Sequence, residues 1–338
     1  MEIVFAFRAF NPNFTPQTKV MKIKQLLAGI MPVLDGDARK RHTAKAVLKG
    51  PIEHRGVLNV HRHDPNNVGD FYCAPHLYFP ELHQSVCDIG DMRKTSAALR
   101  HKWAENIRTH DLIIGGGGLL NLPHFSHQMA LFEALAERGK KIVLWGPGHN
   151  DPNWGTFKAP AQYRVDLSKF GPVGLRDYSA PGTWVPCVSC LHPIFDKEYT
   201  PEHEYGVLMG KKSAQNKERQ NLLREVPSSH NATDLNEMIE FIGSCGTLVT
   251  DSYHAMYWGL LMGKKVLVIP TTTKFLDFKY PVPITEFNSF KKDLKRAVKF
   301  DGLLDECRSI NLDFAQKVFD YLSIDPVAKS PQSISPKP

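Results

Sequence analysis

Asp111-Leu-Ile-Ile114 runs without a break into four glycines, Gly115, Gly116, Gly117 and Gly118. Four apolar or capping residues are too few for a helix, and glycines end regular structure. The segment therefore reads as a short strand buried on both faces. The pattern recurs along the chain. Residues 56–60, 141–145, 247–250 and 265–269 are apolar runs of the same length, and 141–145 stops at Gly146-Pro-Gly148. Between them lie helix-length stretches. Residues 95–110 place Leu99, Trp103 and Ile107 four apart on one face, and 126–138 gathers Met129, Leu131, Phe132 and Leu135. Strands alternating with helices imply βαβ units and parallel sheets.

The remaining elements follow the same logic. A strand is expected over 3–7, a helix over 20–30, and a weak strand over 84–88. Residues 205–209 read as a strand. Residues 234–244 read as a helix, with Asp234 at the N-cap and Glu237 completing a capping box. Helices are expected over 252–262, 290–298 and 312–322. Residues 149–204 are rich in Pro, Trp and turn formers, which suits a crossover between two halves. The fold class is therefore α/β, with two Rossmann-like domains whose parallel sheets face a cleft. Residues 1–55 would be an extension packing on the first domain, 56–180 that domain, 181–325 the second, and 326–338 a disordered, proline-rich tail.

Composition narrows the setting. Lys and Arg exceed Asp and Glu by 42 to 35, a net charge of +7. The positive charge gathers at Arg39-Lys40-Arg41, Lys211-Lys212 and 291–299, which suits polyanions or peripheral contact with an anionic membrane surface. No nucleic-acid module accompanies these clusters, so solvated faces are expected and specific nucleic-acid binding is not. Six cysteines are too few for a disulfide scaffold and fit a reducing, cytoplasmic setting. Cys187-x-x-Cys190 has no second pair at zinc spacing and reads as two packed thiols. No metal or organic cofactor is expected. No apolar run reaches the roughly 18 residues of a membrane span, and the N-terminus has no signal-peptide pattern.

Ligands of such sheets sit beyond the C-terminal ends of the strands, and the residue types there are informative. Asn67-Val-Gly-Asp70 follows the strand 56–60; Asp70 is placed either to cap a helix or to orient or deprotonate a hydroxyl. The four glycines leave backbone N–H groups bare for an anion, or serve tight packing. They match neither a P-loop nor a dinucleotide fingerprint. His149 follows Gly146-Pro-Gly148, and Arg176 follows the strand 171–175 with a planar fork for phosphate or carboxylate. His254 falls in the first turn of the helix after 247–250, and Lys274 ends a hydroxyl-rich loop. As a set, these suit an anionic small molecule and a hydroxylated partner. Asp70, Gly116, Arg176 and His254 are expected to line one cleft.

The ordered motifs resemble those of the polysaccharide pyruvyl transferase family. They are Asn67-Val-Gly-Asp70, Leu112-Ile-Ile-Gly115 with its glycine run, Trp145-Gly-Pro-Gly148, Gly174-Leu-Arg176-Asp177 and Thr250-Asp-Ser-Tyr-His254, followed by Lys274. The resemblance covers about two thirds of the chain. It implies a fold like the B-type glycosyltransferases, with phosphoenolpyruvate as donor and a glycan or glycan precursor as acceptor. The product would be a ketal bridging two sugar hydroxyls. The family's anion-binding Arg falls on Arg176 and its general-acid His on His254. Asp70 would orient the hydroxyl and Lys274 would clamp the donor. Asn67, Gly115 to Gly118, His149 and Ser252 would complete the binding site. Ser252 stands where members often carry Arg, which removes one cation from the donor site. Two other readings are open. One is a glycosyltransferase of the same architecture using a nucleotide sugar, recognisable by saturable UDP or GDP binding. The other is a non-catalytic polyanion-binding protein, recognisable by salt-dependent binding that ignores Arg176 and His254.

Overall fold

In the computed structural model, residues 35–325 are described, apart from 65, 84, 154 and 156. The strand expected over 3–7, the helix over 20–30 and the tail lie outside the described residues. The chain forms two parallel sheets and a small strand pair. The first sheet contains β1 (Val57–His61), β2 (Val86–Asp88), β3 (Asp111–Ile114), β5 (Ile142–Trp145), β7 (Val173–Leu175) and β8 (Thr183–Trp184). Their order is β2-β1-β3-β5-β7-β8, all parallel. Strands β4 (Gly117–Leu120) and β6 (Pro147–His149) pair with each other beyond the ends of β3 and β5. The second sheet contains β9 (His203–Met209), β10 (Ser228–His230), β11 (Cys245–Thr250) and β12 (Lys265–Val268), in the order β10-β9-β11-β12.

Burial follows the two-residue period of a strand. Leu112, Ile114, Ile142 and Leu144 enter the core on one face, under Trp103, Ile107, Met129 and Phe132 of the helices Ala97–Thr109 and Ser126–Glu137. Ile113, Val143 and Trp145 face the other way, onto Phe314, Val318 and Phe319 of the helix Leu303–Leu322. Both faces are covered, as a parallel sheet requires. The second sheet repeats this. Leu248, Val266 and Val268 pack with the wholly buried helix Tyr253–Leu261, while Val249 and Leu267 pack with Phe290.

Several expectations change. Leu99 is half exposed, because the helix's inner face is carried by Trp103, Ala104, Ile107 and Thr109 further along it. The segment expected as one helix over 290–298 is a single turn, Phe290–Asp293, followed by a 3₁₀ turn; Val298 then bridges to Val266. The last helix begins at Leu303, well before 312, and its C-terminal half lies on the first sheet. Lys40 is buried, not solvated, with its ammonium donating to Asp37 Oδ1 at 2.9 Å and to the His124 carbonyl at 2.7 Å. Asp234 does cap its helix, accepting from the Glu237 N–H at 2.9 Å, but the Glu237 carboxylate takes the Thr233 hydroxyl. All six cysteines are free thiols, and Cys187 and Cys190 are buried. Among the described residues no helix is long and apolar enough to cross a membrane.

Candidate functional site

Hydrogen bonds tie the two sheets together where their strand ends meet. The Val68 N–H donates to the Asn231 carbonyl at 3.2 Å, and Asn231 Nδ2 to Asn67 Oδ1 at 3.0 Å. On another side, the Thr273 N–H donates to the Asp151 carbonyl, and the Tyr178 N–H to the Asp277 carbonyl. Between these ties lies a cavity of about 280 Å³. The first sheet's strand ends supply Asn67, Asp70, Gly118 and Arg176 to its lining, and the second sheet's supply Ser252, His254 and Lys274. Both sheets reverse their strand order there, between β1 and β3 and between β9 and β11, where such folds place their ligands.

Arg176 follows β7 and is 2% exposed. Its guanidinium carbon lies 3.9 Å from the centre of the Tyr253 ring, and Nε and one terminal nitrogen have no hydrogen-bond partner. Buried donors are nearly always paired, so two bare nitrogens on one buried cation are an unmet hydrogen-bonding demand. Gly148 makes room for this side chain: a Cβ there would lie 2.5 Å from Arg176 Nε. Lys274 adds a second cation, whose pKa burial and Arg176 pull down to about 8.

His254 sits in the first turn of Tyr253–Leu261, 5% exposed, with Nε2 3.7 Å from Cys187 Sγ. Its ring lies across the Asn67–Asp70 segment. A Cβ on Gly69 would come within 2.1 Å of His254 Nδ1, so only glycine admits the imidazole there. Burial, then Arg176 and Lys274, hold the ring's pKa well below the ordinary value. His254 is therefore neutral near pH 7 in the unliganded site. Asp70 moves the other way: burial raises its carboxyl to about 6, against the pull of Lys274.

Asp70 lies inside the short helix Val68–Tyr72 and does not cap it. Of the four glycines, only Gly118 lines the cavity. The Gly115 N–H donates to the Val60 carbonyl and the Gly116 N–H to the Cys73 carbonyl, so the expected bare N–H groups at these two are spent. A Cβ on Gly116 would lie 3.1 Å from Cys73, which places this glycine in packing and not in the cleft. Gly117 opens β4. Ser252 is buried at the cavity wall, with its N–H donating to Thr250 Oγ1. His149 lines a separate, neighbouring cavity. Arg62, Asn150, Asn231 and Tyr253 line the main cavity without having been singled out. Tyr253 brings a buried hydroxyl that has no partner. The tyrosine was visible as the aromatic before His254; Asn231, in a polar turn, carried no signal.

Two parallel sheets that bring a buried guanidinium, a half-buried lysine, a carboxylate and an imidazole to one polar cavity define an α/β protein with a mixed-charge cleft between its strand ends. The chain belongs to the polysaccharide pyruvyl transferase family, whose model matches residues 59–273. It is accordingly a transferase of polysaccharide modification. No curated protein matches it. Among solved structures, an uncharacterised protein of Klebsiella pneumoniae is 15% identical, with a TM-score of 0.37 over 68% of this chain and 88% of its own. The wall teichoic acid polymerase TagF is 9% identical, with a TM-score of 0.38 over 91% of this chain and 94% of its own. An alpha-glucosyltransferase in complex with UDP and DNA is 8% identical, with a TM-score of 0.40 over 79% and 99%. At these scores none of the three bears on what the chain does.

Proposed function

We propose that the protein moves the pyruvyl group of phosphoenolpyruvate onto two hydroxyls of a sugar in a surface polysaccharide or its precursor, forming a ketal. In this reading, residues 56–180 and 181–325 are the facing halves of a glycosyltransferase-B-like cleft. The observation that carries it is Arg176: a buried guanidinium with two unpartnered nitrogens beside a second cation, Lys274. Phosphoenolpyruvate brings a phosphate and a carboxylate, and a planar fork plus a point charge suits that pair.

The reaction needs an acid first. Burial is the main cause that keeps His254 neutral, and the field of Arg176 and Lys274 adds to it. Donor anions would offset that added field and favour proton uptake by the imidazole. His254 then protonates the methylene carbon with the enol's π electrons, leaving an oxocarbenium-like carbon. A sugar hydroxyl adds there and gives its proton to Asp70, whose pKa of about 6 suits a base at neutral pH. The carbon–oxygen bond to phosphate breaks, with the electron pair leaving on phosphate. The second hydroxyl adds to the oxocarbenium-like carbon that phosphate leaves behind and closes the ketal, its proton returning to His254.

Incubation with phosphoenolpyruvate and a panel of sugars, followed by phosphate release, tests the reading. Arg176→Ala should cost about 2–5 kcal/mol in donor kcat/KM, and Arg176→Lys should recover only part, because an ammonium lacks the fork. Unchanged phosphoenolpyruvate kinetics in Arg176→Ala would remove the donor assignment. Saturable UDP binding without phosphate release would favour a nucleotide-sugar glycosyltransferase.

A further inference from the structure

A second cavity, of about 210 Å³, lies against the same two chain segments that wall the first. Along both segments the lining alternates residue by residue. Asn150 and Lys274 line the first cavity; His149, Asp151 and Thr273 line the second. Neighbouring Cα atoms are about 3.8 Å apart, so the two cavities are separated by little more than the thickness of the chain.

Their chemistry differs. The first is built around the buried Arg176 and the half-buried Lys274. The second presents an aromatic ring, Phe157, together with the imidazole of His149, the amide residue Gln162, and one charge of each sign, Asp151 and the exposed Lys158. His149 is 2% exposed, and neither ring nitrogen has a hydrogen-bond partner. Burial, with Arg176 nearby, lowers its pKa to about 4, so the ring is neutral and offers one donor and one acceptor. Its carboxylate neighbour is already engaged: Asp177 Oδ2 accepts from the His149 backbone N–H and the Tyr163 hydroxyl, each at 2.7 Å, and Oδ1 stands 3.8 Å from His149 Nε2. The Phe157 ring centre lies 4.6 Å from that of the imidazole and closes one wall. Asn121 also lines this cavity and is held at φ 60°, a conformation few non-glycine residues adopt. Its side-chain amide is spent on the Gln162 carbonyl at 2.6 Å and the Arg164 N–H at 3.0 Å.

A buried, unpartnered donor–acceptor pair beside an aromatic face suits a neutral ring bearing hydroxyls: the hydroxyls answer the imidazole and the ring's apolar face lies on Phe157. At roughly 30 Å³ per water, the cavity has the space of about seven waters, enough for one monosaccharide. We infer that it is a second sugar-binding subsite, walled off from the main cavity by the segments 149–151 and 273–274, for a further unit of the acceptor glycan. This rests on the proposed glycan acceptor but not on the identity of the donor.

Saturation-transfer NMR on the full chain tests it, using the methyl β-glycosides of glucose, galactose, mannose and N-acetylglucosamine. At least one should bind. Phe157→Ala should weaken that binding about tenfold, the loss of an aromatic contact. His149→Phe, which keeps an aromatic ring but removes both nitrogens, should weaken it as well. Phosphoenolpyruvate affinity measured by calorimetry should stay the same in Phe157→Ala. Failure of all four glycosides to bind the wild type, or binding indifferent to both substitutions, overturns the subsite. Glycoside binding that behaves as expected in a protein blind to phosphoenolpyruvate upholds the subsite and removes the donor reading.

Discussion

The two ends of the second sheet carry similar charge in different settings. At the N-terminal ends of β9, β11 and β12 lies an open groove of about 770 Å³, lined by Lys265, Lys291, Lys292 and Lys295 and shared with Glu202 and Glu204. These lysines are exposed, and water solvates them at little cost. At the other end, Arg176 and Lys274 share a smaller cavity with a buried histidine and a perturbed carboxyl. The larger and more basic space is the less constrained one. What marks the smaller cavity is a buried guanidinium with donors left unpaired, an arrangement that costs folding energy and is characteristic of functional sites.

The contrast is open to attack at several points. The largest effect is expected at His254. His254→Ala should lower turnover by about 10²–10⁴-fold while phosphoenolpyruvate still binds, and His254→Gln should be nearly as poor because it cannot deliver a proton. Near-normal turnover with Gln would make the ring a packing element. Next comes Gly69, where an added Cβ meets the imidazole at 2.1 Å. Gly69→Ala should cost about 1–3 kcal/mol of stability through overpacking and should reduce turnover by displacing His254. A variant with an unchanged melting midpoint and turnover would show that nothing there needs the glycine.

The third effect is a pH dependence. Asp70 titrates near 6 in the folded chain, against 3.8 as the ordinary value, so the native state binds its proton more tightly than the unfolded state does. Its contribution to stability is full below about pH 4 and is lost as pH rises through about 6. The loss amounts to at most roughly 3 kcal/mol, at 1.4 kcal/mol per unit. His254, with its lowered pKa, slopes the opposite way, losing stability as pH falls. Urea melts of the wild type and Asp70→Asn at a series of pH values isolate the Asp70 part: their difference should shrink or reverse across that window. A constant difference would place Asp70 in water. The smallest effect belongs to the groove. Replacing Lys291, Lys292 and Lys295 together by alanine should change stability by no more than about 0.5 kcal/mol per site and leave turnover alone; a large loss in either would erase the distinction between the two ends.

Much of this arrangement could be read along the chain. Short apolar runs ending in glycine or a polar turn became β1, β3, β5, β11 and β12, because only a strand covered on both faces uses such runs. Strand ends then located Asp70, Arg176, Ser252, His254 and Lys274, all of which reach one cavity. The glycine run was harder to place. Local sequence shows that Gly115 and Gly116 permit close approach, but the partners that approach are Val60 and Cys73, in other segments of the fold. Leu99 and Lys40 went astray for a similar reason: whether a helix residue is covered depends on how far its neighbours reach.

What the sequence determined by itself is the parallel α/β order and the chemical inventory at its strand ends, since both follow from local periodicity and from which residues stop a strand. The tertiary structure alone decided which of those groups are deprived of water and partners. Asn67 and Asn231 meet across 164 residues of chain, and His254 lies on Gly69 from a different sheet. Desolvation is a property of all the atoms around a group, and those atoms come from segments that no local pattern connects.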